Sequence, residues 1–161
     1  MMLLSEILWE TLLDEFRWPR RAVERVAYID GFQFGEIEIA TTLTFPEAVL
    51  CPGYFTVSGA AMSEAGKHFR VFGMQRLAQV HTHPSRDVRH SEFDDANAYS
   101  QLDGAMSIVV PYHARRRTPV FDCGVHIRSD SGWVRLRPKQ IPEQIQIVPG
   151  CLDFRRYQCA T

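Results

Sequence analysis

Sixteen residues hold most of the chain's chemistry. From Val80 to Asp95 the sequence reads VHTHPSRDVRHSEFDD, with three of the six histidines and four acidic residues, Asp87, Glu92, Asp94 and Asp95. His81 and His83 are two apart. On a β-strand, positions i and i+2 face the same way, so both imidazoles project to one side. Pro84 lacks an N–H and ends the strand. The six residues SRDVRH lead to Ser91, and Asp94 falls in the first turn of a helix starting there. Two histidines and one carboxylate, with a fourth position open, form the ligand set of a catalytic zinc ion. The same residues also have a plain structural reading. Ser91-Glu92-Phe93-Asp94 fits a capping box, with Ser91 as N-cap and Asp94 returning to the backbone. Asp87, His90, Glu92 and Asp95 read as ordinary polar residues of the loop and helix.

The flanking sequence supplies elements able to hold such a site. RLAQVHTH is an apolar strand and SEFDDANAYSQL a helix beginning at Ser91. AMSIVVPYH is another apolar strand, and VFDCGVHI and GWVRLR form a hairpin across a Ser-Asp-Ser-Gly turn. Upstream, AVERVAYIDGF and EIEIATTLTF are strands joined around Gly31 to Gly35. FPEAVLCPGYFTVS reads as irregular connection, and SGAAMSEAGKHFRVFGMQ as a helix weakened by Gly66 and Gly73. The N-terminal MMLLSEILWETLLDEFRW reads as an amphipathic helix with Leu4, Ile7, Leu8, Thr11, Leu12 and Phe16 near one face, broken by Pro19. These elements predict one α/β (α+β) domain with a mixed β-sheet flanked by helices. It spans 1–137, and 138–161 is an extension with no motif to assign it.

Composition narrows the class further. The chain has 161 residues, 45% hydrophobic and 23% charged, which is ordinary for one globular domain. A formal net charge of −1 disfavours nucleic acid as a partner. No apolar run approaches the ~20 residues that span a bilayer, so no membrane partner is expected. Glu6, Glu10, Asp14 and Glu15 interrupt the N-terminal apolar residues, which excludes a signal peptide. The expectation is a cytoplasmic protein with reduced thiols. Its cysteines, Cys51, Cys123, Cys151 and Cys159, include no C-x-x-C pair, and Cys123 reads as a packed thiol. The run Arg115-Arg116-Arg117 reads as a solvated loop, with contact to an acidic patch of a protein partner as the sharper alternative.

HTHP-SRDVRH-SEFD resembles the signature of the JAMM (MPN+/JAB) metalloproteases, H-x-H-P-x(6)-S-x-x-D. The resemblance implies that His81, His83 and Asp94 bind Zn2+, that Ser91 helps hold the oxyanion, and that an upstream glutamate is the general acid/base. Glu24 opens a stretch, Glu24 to Gly31, similar to the family's E-x-x-G-x-L-x-G, with Ala27 and Ile29 at the first glycine and leucine positions. Glu36 and Glu38 are the alternatives. The element order from Leu3 to about Leu136 is also that of the family, which implies a JAB/MPN-type, cytidine-deaminase-like fold.

By that resemblance the activity is a zinc-dependent isopeptidase or peptidase. It would cut after the C-terminal glycine of a ubiquitin-like protein, in deconjugation or precursor processing. The short chain is similar to stand-alone bacterial JAB-domain proteins, some of which serve antiviral conjugation systems, and the resemblance implies that this protein acts in such a bacterial ubiquitin-like conjugation system with an antiviral role. The alternatives are a sulfur-carrier-processing peptidase and a catalytically silent MPN scaffold. The implied partner is a ubiquitin-like protein with its conjugates. Oligomeric state stays open.

Overall fold

The computed structural model describes residues 1–18 and 22–152. Ten strands and four α-helices occur among them. In chain order these are β1 (Met2–Ser5), α1 (Glu6–Arg17), β2 (Val26–Phe34), β3 (Ile37–Thr44), β4 (Ala48–Leu50), β5 (Phe55–Val57), α2 (Gly59–Phe72) and β6 (Gln75–Thr82). Then follow α3 (Glu92–Asn97), β7 (Met106–Val110), β8 (Gly124–Ser129), β9 (Gly132–Arg135), α4 (Ile141–Gln144) and β10 (Ile145–Val148).

Eight strands form one mixed sheet in the order β10-β1-β3-β2-β6-β7-β8-β9, and β4 and β5 form a separate hairpin. The sheet centre follows from sequence. β2 and β6 are rich in Val, Ile, Tyr and Ala and pair antiparallel, while β6 and β7 run parallel across the α3 crossover. One face of the sheet carries Ala27, Ile29, Ala78, Val80, Ile108 and Val125 into the main core, where α1 packs Trp9, Leu12, Leu13 and Phe16. The opposite face carries the polar residues of interest. Leu77 is an extra residue of β6 opposite the Ile29–Asp30 step. Such a bulge flips the side-chain phase, and it brings Arg76 to the Tyr28 face. There its guanidinium lies 3.5 Å from the Tyr28 ring centroid and 3.0 Å from Asp30 Oδ1.

The structure departs from the sequence expectations most in three places, and the helix expected over 91–102 is only Glu92–Asn97. The first helix begins only after Ser5, whose Oγ accepts from Leu8 N at 3.1 Å. Met2 to Ser5 form β1, with Met2 and Leu4 buried, because β3 and β10 pair with it on both sides. The buried helix face is therefore Trp9, Leu12, Leu13 and Phe16, and Ile7 and Thr11 are exposed. Second, the stretch read as irregular folds as the β4–β5 hairpin. Third, the chain after Pro138 supplies β10, which pairs parallel with β1 and buries Ile141 and Ile145 in the main core. The β2–β3 turn sits at Gly35, while Gly31 lies within β2.

Cys123 is a buried thiol, as its context suggests, and Arg115 to Arg117 are exposed. Pro19 and Cys159 lie outside the described residues. Among the described residues, no helix is long and apolar enough to cross a membrane.

Candidate metal centre

β6 delivers His81 to the polar face of the sheet, and the chain leaves the strand at His83. Ser91 caps α3, which turns Asp94 back toward both imidazoles. His81 Nε2 lies 3.3 Å from His83 Nε2 and 3.5 Å from Asp94 Oδ1, and His83 Nε2 lies 3.3 Å from Asp94 Oδ2. Among the described residues these three form the one group of His, Cys, Asp or Glu with ligand atoms close enough to share an ion. Zinc bonds of about 2.0–2.1 Å place neighbouring donors of a tetrahedral ion about 3.3–3.4 Å apart. The observed spacings match that edge and are long for hydrogen bonds.

The donor chemistry fits as well. His83 Nδ1 lies 2.9 Å from the carbonyl oxygen of Asp87, which directs an Nδ1–H outward and turns Nε2 to the cluster. Burial disfavours charge on this ring, but Asp94 and Glu24 outweigh that and raise its pKa, so a bound cation would have to displace the Nε2 proton. Burial disfavours charge on Asp94. Its contacts with His81 and His83 and the hydrogen bond from Ser91 N outweigh that and hold the carboxyl well below the usual range. Burial lowers the pKa of His81, which keeps a neutral imidazole available as a ligand.

Glu24 is buried beside this group. Burial raises its carboxyl to about 7, with His83 opposing and Asp94 adding to the shift. Of the glutamates weighed from sequence, Glu24 is the one with these two neighbours. Glu36 is exposed in the β2–β3 turn, and Glu38 pairs across from Met2 and Gln33 at the far side of β2.

Two solved structures share this architecture. A protein of Desulfitobacterium hafniense, solved in solution, superposes with a TM-score of 0.71 at 19% identity, covering 92% of this chain and 94% of its own. A JAB1/MPN domain protein of Archaeoglobus fulgidus gives a TM-score of 0.54 at 18% identity, covering 92% and 97%. The fold is that of the JAB1/MPN domain. In sequence, a protein of Sinorhizobium fredii named a probable metalloprotease is 49% identical over 43 residues. That stretch is 27% of this chain and spans about a quarter, 26%, of the relative's length. No family model matches the chain.

Within the JAB1/MPN fold, Ser91 is the N-cap that its spacing suggests. Its Oγ accepts from Asp94 N at 3.1 Å, and its single proton goes to Asp94 Oδ2 at 2.8 Å. Its backbone N–H also reaches Oδ2, at 2.7 Å. Ser91 therefore orients Asp94, and its hydroxyl must rotate before it can donate to anything else.

Three further parts of the centre were not evident from sequence. The β4–β5 hairpin brings the Phe55 ring to 5.3 Å from the His81 ring, and Cys51 O accepts from Glu24 N at 2.8 Å. The available signal was Pro52-Gly53 between two short runs rich in β-forming residues. Next, Tyr112, His113 and Ala114 all adopt positive φ, at 57°, 51° and 54°. For non-glycine residues this conformation costs about 1–2 kcal/mol each. The turn is held by Tyr112 N donating to Ser85 O at 3.0 Å, His113 N to His83 O at 2.8 Å, and Arg17 Nε to Ala114 O at 2.7 Å. Strain of this kind persists where the surroundings over-determine it, commonly at functional sites. Here it pins the backbone that bears His83. The third part is His90, read from sequence as a loop polar. Its side chain is 4% exposed, 3.9 Å in stacked contact with His126 and edge-on to Trp133.

Proposed function

We propose that this protein is a zinc-dependent peptidase or isopeptidase that cuts after the C-terminal glycine of a ubiquitin-like protein. The observation that carries the reading is the convergence of His81, His83 and Asp94 at tetrahedral-edge spacing, with a buried glutamate of raised pKa beside them. In this reading His81 Nε2, His83 Nε2 and Asp94 hold the ion. Bound there, zinc would supply Lewis acidity, which lowers the pKa of a coordinated water from 15.7 to about 7. Glu24, poised near 7, takes a proton from the attacking water and returns it to the leaving amine. The Phe55 ring against His81 helps keep bulk water from the donors. Ser91, once rotated from Asp94, offers its hydroxyl to the oxyanion. An extended glycine-bearing tail is the natural substrate form, bound as an added strand beside the site.

Metal content and turnover test the reading together. Wild-type protein should carry about one zinc per chain and release a reporter fused to the terminal glycine of a ubiquitin-like protein. Glu24→Gln should keep the zinc and lose turnover by at least the ~10²–10⁴-fold typical of a removed acid/base. Protein purified without chelator that holds no metal would point to a silent scaffold. Cleavage of a minimal amide with no protein substrate would point to a small-molecule hydrolase.

A further inference from the structure

A row of buried polar side chains crosses the sheet one step below the metal ligands. Cross-strand pairing sets Tyr28 opposite Gln79, Gln79 opposite Ser107, and Ser107 opposite His126. All four are almost fully buried. A polar row in a sheet interior is costly unless each group finds a partner. Two of these groups find theirs at the two ends of α3. Gln79 Oε1 accepts from Tyr99 N at 3.0 Å, just after the helix. Ser107 Oγ lies 2.9 Å from His90 Nε2, just before the Ser91 cap. The other nitrogen of His90, Nδ1, lies 2.8 Å from Asp95 Oδ1, inside the helix.

α3 has six residues. Helices that short do not hold themselves together in water, yet this one must hold Asp94 at 3.5 and 3.3 Å from two imidazoles. Its own capping box ties Asp94 to Ser91 without joining the unit to the sheet. Phe93 meets the Tyr54 ring at 5.4 Å, and the polar row supplies hydrogen bonds from the flanks of α3 to β6 and β7. We infer that His90 is a positioning residue for the metal centre: bridging Ser107 of β7 and Asp95 of α3, and backed by the His126 and Trp133 rings, it clamps the N-terminal end of α3 to the sheet and so sets Asp94 against His81 and His83. Gln79 is the matching clamp at the C-terminal end. The inference rests on the metallopeptidase reading for its consequence, but its structural core, α3 held by His90, stands apart from any metal.

The experiment uses the full chain and four variants: Ser107→Ala, His90→Leu, His90→Gln and Ile145→Val. Ile145 is buried in β10, at the opposite edge of the sheet, and serves as a matched destabilisation control. Three quantities are read: the thermal midpoint, zinc affinity by competition with a chromophoric chelator, and hydrogen exchange at the Asp94 and Asp95 amides in metal-free protein. Ser107→Ala and His90→Leu should weaken zinc about 10–100-fold, the usual loss when a group supporting a ligand is removed, and should speed exchange at both amides. His90→Gln keeps a donor and an acceptor and should recover most of both. Ile145→Val should lower the thermal midpoint and change neither zinc affinity nor exchange.

Unchanged exchange at the α3 amides in Ser107→Ala and His90→Leu would overturn the inference. So would a zinc loss no larger than that of Ile145→Val, or a His90→Gln variant no better than His90→Leu. Wild-type protein that binds no zinc would sink the metallopeptidase reading instead, and the exchange arm would still decide whether His90 holds α3.

Discussion

Replacing Gly124 with alanine should damage the candidate metal centre without replacing any of its proposed ligands. Gly124 opens β8 in register with Val109, which is itself in register with His81. A Cβ there would sit 1.9 Å from Val88 O and 2.9 Å from both Val88 C and Val88 Cβ. Real Cβ contacts essentially never fall below 3.0 Å, so the 1.9 Å approach must open by at least about 1.1 Å. Backbone, not a flexible side-chain tip, has to give way. Val88 is buried next to Asp87, whose carbonyl fixes the His83 imidazole, and lies three residues before Ser91. A shift of that size breaks a hydrogen bond of 2.9 Å and moves the His83 and Asp94 donors apart. Overpacking of this kind costs about 1–3 kcal/mol, or roughly 2–4 °C of thermal midpoint per kcal/mol at this chain length. Zinc affinity should fall about 10–100-fold. Thermal unfolding of metal-free protein and chelator competition measure the two effects. A Gly124→Ala protein with wild-type midpoint and wild-type zinc affinity would refute the reasoning that this glycine exists to admit the Val88 loop.

Three other outcomes are expected. Burial raises Glu24 from an ordinary 4.5 to about 7, so in metal-free protein the folded state holds that proton longer than the unfolded state. Stability from this group is therefore lost as pH rises from 4.5 through about 7, by up to ~3 kcal/mol, and metal-free Glu24→Gln should be more stable than wild type above neutrality in urea titrations. His126 runs the other way: burial, its largest influence, lowers it from 6.5 to about 3, with His90 and His81 adding to the shift. Below 6.5 the unfolded chain takes up a proton that the folded chain refuses, so stability falls with acid by at most ~1.4 kcal/mol per pH unit. His126→Phe, which keeps a ring against His90, should flatten that limb when the two proteins are unfolded in parallel at pH 6.5 and 4. Finally, stripping zinc with chelator should abolish turnover and lower the midpoint. Zinc at about 100 times its Kd contributes about 2.7 kcal/mol, and restoring zinc, but not magnesium, should return both.

Local sequence set the elements that bear the candidate ligands. Alternation put His81 on one face of an apolar strand, Pro84 stopped that strand, and Ser91 with Asp94 wrote a helix start. Each depends on neighbours within four residues, where backbone geometry is set by residue type. The sheet centre, β2, β6 and β7, was legible for the same reason. Pairing partners decided the rest. Met2 to Ser5 carry an apolar pattern that suits helix or strand, and only β3 and β10, from opposite ends of the chain, make them a strand. The β4–β5 hairpin is six strand residues long, too short for its pattern to declare itself, yet it carries the ring over His81 and the carbonyl that anchors Glu24. His90 and Ser107 are seventeen residues apart and individually unremarkable. Burial on a shared sheet face turns one from a loop polar into a clamp, and a sequence read along one dimension does not record which faces meet.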